Sequence, residues 1–538
     1  MDKLPLELLT TIFNYAYPLW GPHGRTSLAA LASLSRGWQH LVEKRTFYDL
    51  TVTNDDIDTF YELFAGSENR RRALRSLSFL IVLPCPSDGD CANYETAADR
   101  TMHDALVRHH VSTLLQFLSQ WSAHSRLGLS IDVHSPLDFP PLGTTLAALR
   151  RRPPIRKPQD IREGRSKYSY VHLPDDLAQV PCVTSFASGG TKHLEPVSLV
   201  RLTAAFPGLE RIDWLVSDPE GFLALQRPSI QGFARAISTF DPPPSCKHFH
   251  LELLSTAKWY HHGGRVPDLA SGGVSLCDAL RIMLGESNFS HFTYERGLID
   301  PSFFWPQSLS ENGQDCQWKS LKRLQIDFKL ASLSGQWFFQ DRPGHPPSEA
   351  ARHAPMLPEE PGMLPPGYHD NVEDNQAAIS LSESMVYPTD EDDRSVEGAD
   401  FRCYPRNEVM MPLLYAMARR LIHTPSLQDF RLSTEVQGLD VWSIQYYAPG
   451  VGKWDEYLVH QEDTEDSSVK VDTPDFSRIF FHVGEWRPEE ELLTMLREVG
   501  MAHHGRETRV TFLPSSYDDS DSEFWSTESW DGELSDGS

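Results

Sequence analysis

The side chains best suited to chemistry in this chain come as adjacent pairs and as runs. His109-His110, His261-His262 and His503-His504 are the pairs, and Asp390-Glu391-Asp392-Asp393 is the densest run of carboxylates. A metal centre needs three or four donors converging on one point, whereas neighbouring side chains diverge on a helix or strand. The pairs therefore read as surface or half-buried histidines, and no metal or other cofactor is expected. General acid–base work needs two carboxyls held in different environments, and acids in solvated runs do not supply them. No Gly-x-Gly-x-x-Gly, Walker-type phosphate loop, His-Glu-x-x-His or Gly-x-Ser-x-Gly occurs. The expectation is a protein that is not an enzyme.

Binding is the better prospect. Phe303-Phe304-Trp305-Pro306 and Trp337-Phe338-Phe339 are dense aromatic strings, and aromatic anchors dominate interface energetics. Phe303, Trp305, Trp337 and Phe338 are accordingly candidates for holding a protein substrate, although the same residue types fill cores. The formal net charge of -26 argues against nucleic-acid binding through a basic surface. Seven scattered cysteines, none as Cys-x-x-Cys, point to reduced thiols in cytoplasm or nucleus. The run Phe79-Leu80-Ile81-Val82-Leu83 is far short of the ~20 apolar residues of a membrane helix. Met1-Asp2-Lys3-Leu4-Pro5 has no signal-peptide character, so Asn288-Phe289-Ser290 carries no weight as a glycosylation acceptor, and no membrane partner is expected.

Whatever these residues do, a recurring unit has to position them. Leu74-x-x-Leu77-x-Phe79-x-Ile81 is an apolar string with the period of a strand. Leu209-x-x-Ile212-x-Trp214 repeats it after a helix-like stretch from Val197 to Phe206 and the break Pro207-Gly208. Cys246-x-x-Phe249-x-Leu251-x-Leu253, Phe289-x-x-Phe292-x-Tyr294, Leu321-x-x-Leu324-x-Ile326-x-Phe328 and Leu427-x-x-Phe430-x-Leu432 follow, the first two after helical faces through Ile230–Phe240 and Leu276–Met283. Such units of roughly 30 to 45 residues fit an irregular leucine-rich-repeat-like α/β solenoid. The position where regular repeats place Asn or Cys holds Ser217, Lys329 and Glu435 instead. The competing reading is an irregular α/β domain whose strands merely begin alike.

The expected organisation is an N-terminal helical unit over residues 1–50, a repeat-like α/β region over 51–340, a disordered Pro-rich and acidic insertion over 341–405, a second α/β part over 406–513 and an acidic disordered tail over 514–538. Within 406–513, Val441–Tyr446, Ile479–Val483 and Val510–Phe512 alternate as strands, and Trp486-Arg487-Pro488 leads into a helix with acids in its first turn. Arg150–Lys157, continuing to Lys167, reads as a basic linker, and Ser520-Asp521-Ser522-Glu523 in the tail suits an acid-directed kinase.

The N-terminal unit carries the most specific pattern. Pro5 fits the first turn of a helix, and Leu4, Leu8 and Ile12 recur four apart beside Leu9 and Phe13. Pro18, Gly21, Pro22 and Gly24 break the helix; a second stripe runs through Leu28, Leu31, Leu34 and Trp38 to Leu41 and Val42. Leu-Pro-x-Glu-Leu followed by Ser35-Arg36-Gly37-Trp38 resembles an F-box, a three-helix module. The loop from Pro18 to Thr26 is longer than is usual there, and Gly37 costs the helix about 1 kcal/mol relative to Ala.

Farther along, Phe303–Pro306, Trp318-Lys319-Ser320-Leu321, Ser334–Phe339, Tyr447-Ala448-Pro449-Gly450 and Trp486-Arg487-Pro488 resemble the C-terminal regions of filamentous-fungal F-box proteins. The resemblance implies a substrate receptor of an Skp–cullin–F-box ubiquitin ligase. Leu4, Pro5, Leu8, Ile12, Leu28, Leu31, Leu34 and Trp38 would form or support the Skp-adaptor surface, a cullin would be reached through the adaptor, and the remainder would hold an unknown protein substrate. A cullin-independent scaffold is the alternative it leaves open.

Overall fold

The computed structural model describes residues 6–16, 30–84, 93–135, 166, 168–218, 222–255, 268–306, 318–341, 343, 363–369, 371–384, 403–436, 440–452 and 475–513. Along the chain these form α1 (Leu6–Ala16), α2 (Arg36–Thr46), β1 (Asp49–Thr53), α3 (Ile57–Ala65), α4 (Glu68–Ala73), β2 (Ser76–Val82), α5 (Ala97–Leu118), β3 (Leu127–His134), β4 (Val183–Gly190), α6 (Pro196–Ala204), β5 (Arg211–Asp218), α7 (Leu223–Ser238), β6 (His248–Ser255), α8 (Leu276–Glu286), β7 (His291–Gly297), α9 (Pro301–Phe304) and β8 (Arg323–Phe328). Then come β9 (Phe339–Gln340), α10 (Val372–Ser384), β10 (Tyr404–Pro405), α11 (Asn407–Ile422), β11 (Asp429–Val436), β12 (Asp440–Tyr447), β13 (Arg478–His482), α12 (Glu490–His504) and β14 (Arg509–Phe512).

The result is an α/β fold built on one large, mostly parallel sheet. Strands β1 to β8 and then β11 lie side by side in chain order, each parallel to the last. β12 and β13 add antiparallel, and β14 closes the edge parallel to β13. β9 and β10 form a separate two-stranded ribbon.

The strings that begin alike also bond alike. The carbonyl of Tyr48, just before β1, accepts from both Arg75 N and Ser76 N at the start of β2. Glu210 does the same for Lys247 and His248, Lys247 for Ser290 and His291, Ser290 for Lys322 and Arg323, and Lys322 for Gln428 and Asp429. The first apolar residue of each of these strings (Leu74, Cys246, Phe289, Leu321, Leu427) is buried beneath the bend, as is Leu209, where Glu210 N alone bonds Thr184 O. Strand alternation then sends Ile212, Trp214, Phe249, Leu251, Phe292, Tyr294, Leu324 and Ile326 into one continuous core with the inward faces of α6, α7, α8 and α11.

Two boundaries need correction. The sheet starts at Asp49, inside the stretch expected to be wholly helical. Part of the stretch 341–405, expected to be disordered, is folded. α10 buries Ala378 against Tyr94, Tyr168 and Phe222, Tyr368 donates its hydroxyl to Tyr168 O at 3.0 Å, and the Arg100 guanidinium lies 3.8 Å from the Tyr368 ring centroid. The segment has too few apolar residues for a core of its own, so it completes one offered by the α/β body. Arg150–Lys157 with Lys167, Asp390–Asp393 and the tail 514–538 lie outside the described residues.

Candidate functional site

Two surfaces have the composition and geometry to bind a partner. The first is the N-terminal helical unit. Ser35 caps α2, its hydroxyl accepting from Trp38 N at 3.4 Å. α1 and α2 then enclose a small core of Leu9, Phe13, Trp38, Leu41 and Val42, with Leu31 and Ala32 against it, separate from the core of the sheet. A Cβ added at Gly37 would stand 3.2 Å from Leu9 Cδ1, so the glycine that weakens α2 also lets α1 pack closely on it. Glu43 pairs with Arg70 on α4 at 2.9 Å, the Arg70 guanidinium covers Phe47, and Phe47 packs edge-on against Phe64. These contacts join the unit to the first strands.

With Leu9 and Phe13 turned inward, Leu8 and Ile12 face out, 51 % and 45 % exposed, and Leu34 is 51 % exposed between the helices. Of the residues nominated from sequence, these three are surface residues, Leu31 is half-buried and Trp38 is a buried support. Leu4, Pro5 and Leu28 lie outside the described residues.

The second surface is the sheet face opposite the helices, where strand register assembles a polar array. Arg211, His248, His291, Arg323 and Asp429 occupy one row across β5, β6, β7, β8 and β11. Asp213, His250, Thr293, Gln325 and Arg431 form the next, and Leu215, Glu252 and Glu295 stand in the third. Arg211 grips Asp213 through Nε and Nη2 at 2.8 and 3.1 Å, and Arg323 Nε approaches Asp429 Oδ2 at 3.2 Å. His250 Nδ1 lies 3.5 Å from Asp213 Oδ1 and its Nε2 3.4 Å from Glu295 Oε1. Those carboxylates push its pKa up to about 9, against the opposing effect of burial. One row away, burial and the neighbouring His248, Arg323 and Lys322 push His291 down to about 4. The face thus alternates neutral and charged imidazoles among ion pairs, a surface suited to charged and hydrogen-bonding partners.

The sequence-nominated aromatics do not line either surface. Phe303, Trp305 and Phe338 are buried and Trp337 is half-buried, so of the two uses weighed for these strings, binding a substrate and packing a core, the structure shows core packing. Phe303 packs among Phe292, Tyr294 and Trp318, Phe338 packs against Phe328, and Trp305 lies over Arg420 of α11, itself 1 % exposed. Its guanidinium donates to Phe304 O from Nε at 2.8 Å and Nη2 at 2.6 Å, and sits 4.4 Å from the Trp318 ring and 5.5 Å from that of Trp305. Aromatic faces here solvate a buried cation.

His109-His110 and His503-His504 stay apart from both surfaces, on α5 and α12; His503 Nε2 lies 2.8 Å from Leu421 O and His504 Nε2 lies 3.4 Å from the Tyr446 hydroxyl. His261-His262 falls outside the described residues. The histidines of the polar face are His248 and His291, which stack on each other, and His250, which sits between Asp213 and Glu295. Their signal was the polar residue at every second position of the strings, which sequence reasoning passed over in favour of the apolar ones. Neither a protein-family model nor a curated protein matches the chain.

Proposed function

We propose that this chain is a non-catalytic substrate-recognition subunit of an Skp–cullin–F-box ubiquitin ligase. The N-terminal helices dock the Skp adaptor, and the sheet region receives a protein substrate. The observation that carries this reading is the exposure of Leu8, Ile12 and Leu34 on a helical unit whose own small core fixes their positions. Each is about half covered already, so an adaptor that buries the remainder gains roughly 0.7–1.5 kcal/mol per residue. They are also among the residues that the F-box resemblance nominates.

The sheet region is read as a degenerate leucine-rich-repeat-like solenoid. The shared bend at the start of successive strands supports that over strands beginning alike by chance. Its polar face is the proposed substrate surface, and proximity is the mechanism: tethering raises the effective concentration of substrate lysines at the transfer centre. No residue of this chain enters the bond-making step.

Co-purification with an Skp adaptor tests the proposal, comparing the wild type with Leu8→Asp/Leu34→Asp. Both positions are exposed, so the variant should keep the wild-type thermal midpoint while losing the adaptor. A folded wild type that fails to retain the adaptor would overturn the reading. Recovery of a cullin in the same complex separates the ligase from a cullin-independent scaffold.

A further inference from the structure

We propose that His250, Glu252 and Glu295 on the polar face bind a single divalent first-row cation, with Zn2+ the best match. His250 and Glu252 stand two apart on β6, so both leave the same face of the sheet, and Glu295 is directly opposite Glu252 on β7. One donor atom from each residue lies within 4.8 Å of the other two. Two donors bound at ~2.0–2.1 Å to a tetrahedral ion are roughly 3.3 Å apart. The 3.4 Å between His250 Nε2 and Glu295 Oε1 is that spacing.

The imidazole is also presented as a ligand. Nε2 is covered from solvent and faces Glu295 Oε1 at 3.4 Å, so an ion seated between the two would take the place of the proton they share. The other ring nitrogen faces Asp213, which Arg211 holds through two hydrogen bonds. A carboxylate behind a ligating histidine fixes the ring's orientation and raises its basicity. One imidazole and two carboxylates make a mixed N/O set that suits Zn2+ better than Ca2+ or Mg2+, which favour oxygen alone. Arg296 is the competing cation, its Nη1 3.6 Å from Glu252 Oε1, but its side chain is 54 % exposed and has room to swing outward. Three protein donors leave a fourth position for water or for a donor carried by a partner on this face. The proposal does not depend on the ligase reading, because adaptor docking uses a different surface.

The test is equilibrium dialysis of the metal-stripped full chain against Zn2+, read as bound zinc per chain. One ion per wild-type chain is expected, weakened more than ~100-fold in His250→Ala and Glu295→Gln and by about 10–100-fold in Asp213→Asn. A His503→Ala/His504→Ala variant should bind as the wild type does, and circular dichroism of every variant separates a lost ligand from a lost fold. Absence of a saturable ion in the wild type would overturn the proposal. So would undiminished binding in His250→Ala and Glu295→Gln, which would assign the zinc to other acidic or histidine-bearing segments. Displacement of the zinc by equimolar Ca2+ would overturn the choice of ion class.

Discussion

The imidazole rings of His248 and His291 stack across neighbouring strands, their centroids 4.4 Å apart and their planes 18° from parallel. Partial burial disfavours a charge on His291, and repulsion between two imidazolium rings at that distance, with Arg323 nearby, adds to the penalty. The His291 ring is therefore expected to titrate near pH 4, against about 6.5 for an unperturbed histidine. Neutral in the fold but protonated when unfolded between those values, it leaves stability intact above pH 6.5 and lowers it as pH falls toward 4. A ring-proton NMR titration, assigned with His291→Asn, checks this; a midpoint near 6.5 would contradict it.

A buried charge cluster supports the left part of the sheet. Lys192, fully buried after β4, bonds to Glu95 and to Ser169 Oγ at 3.2 Å and lies 3.1 Å from His103 Nδ1. Burial would raise the Glu95 carboxyl, but His103, Lys192 and Ser169 outweigh it and hold the pKa down to about 2. Lys192→Met should cost about 3–5 kcal/mol by stranding Glu95, and Glu95→Gln/Lys192→Met should recover part of it, as read from urea unfolding. Glu95 stays ionised in the fold far below its unfolded value near 4.5. Its contribution should therefore be complete above that pH and vanish as acidification approaches 2.

Arg420 is held by shape as well as charge. Arg420→Ala removes two charge-assisted hydrogen bonds to Phe304 O and leaves Trp305 and Trp318 facing a void; a loss of about 3 kcal/mol is expected. Arg420→Lys should restore little, because an ammonium lacks the planar fork that reaches the carbonyl from two nitrogens. Thermal denaturation of the two variants decides it.

The N-terminal unit should open on its own. Its core shares no buried residue with the core of the sheet, so Phe13→Ala, a loss of about 3–5 kcal/mol from a small cluster, should unfold α1 and α2 locally. Hydrogen exchange is expected to rise across α1 and α2 while β5 to β8 keep their protection. A global loss of protection would show the two cores to be one cooperative unit.

The strands β2, β5, β6, β7, β8 and β11 were legible because each repeats the apolar string that buries its opening residue. β3 and β4 were not found. β3 alternates cleanly through Leu127, Leu129, Ile131 and Val133, but it follows a left-handed Arg126 at φ 44° in place of the usual opening. In β4 the third apolar place of the string falls on Ser188, followed by two glycines. α10 was hidden because its burial depends on Tyr94, Tyr168 and Phe222, all far away in the chain.

Sequence alone determined what is periodic: alternation at two residues for strands, stripes at three to four for helices, and the pattern of the N-terminal unit. These signals are local, since each residue's neighbours along the chain set the face it shares. Tertiary structure decided which edge of a stripe is covered, turning Leu9 inward and Leu8 outward once α1 packed against Gly37 of α2. It sent Trp305 over Arg420 and Phe303 into the core beside Phe292 and Tyr294. It also brought Asp213, His250 and Glu295 together from three strands, because sheet register, which no single segment encodes, fixes which side chains meet.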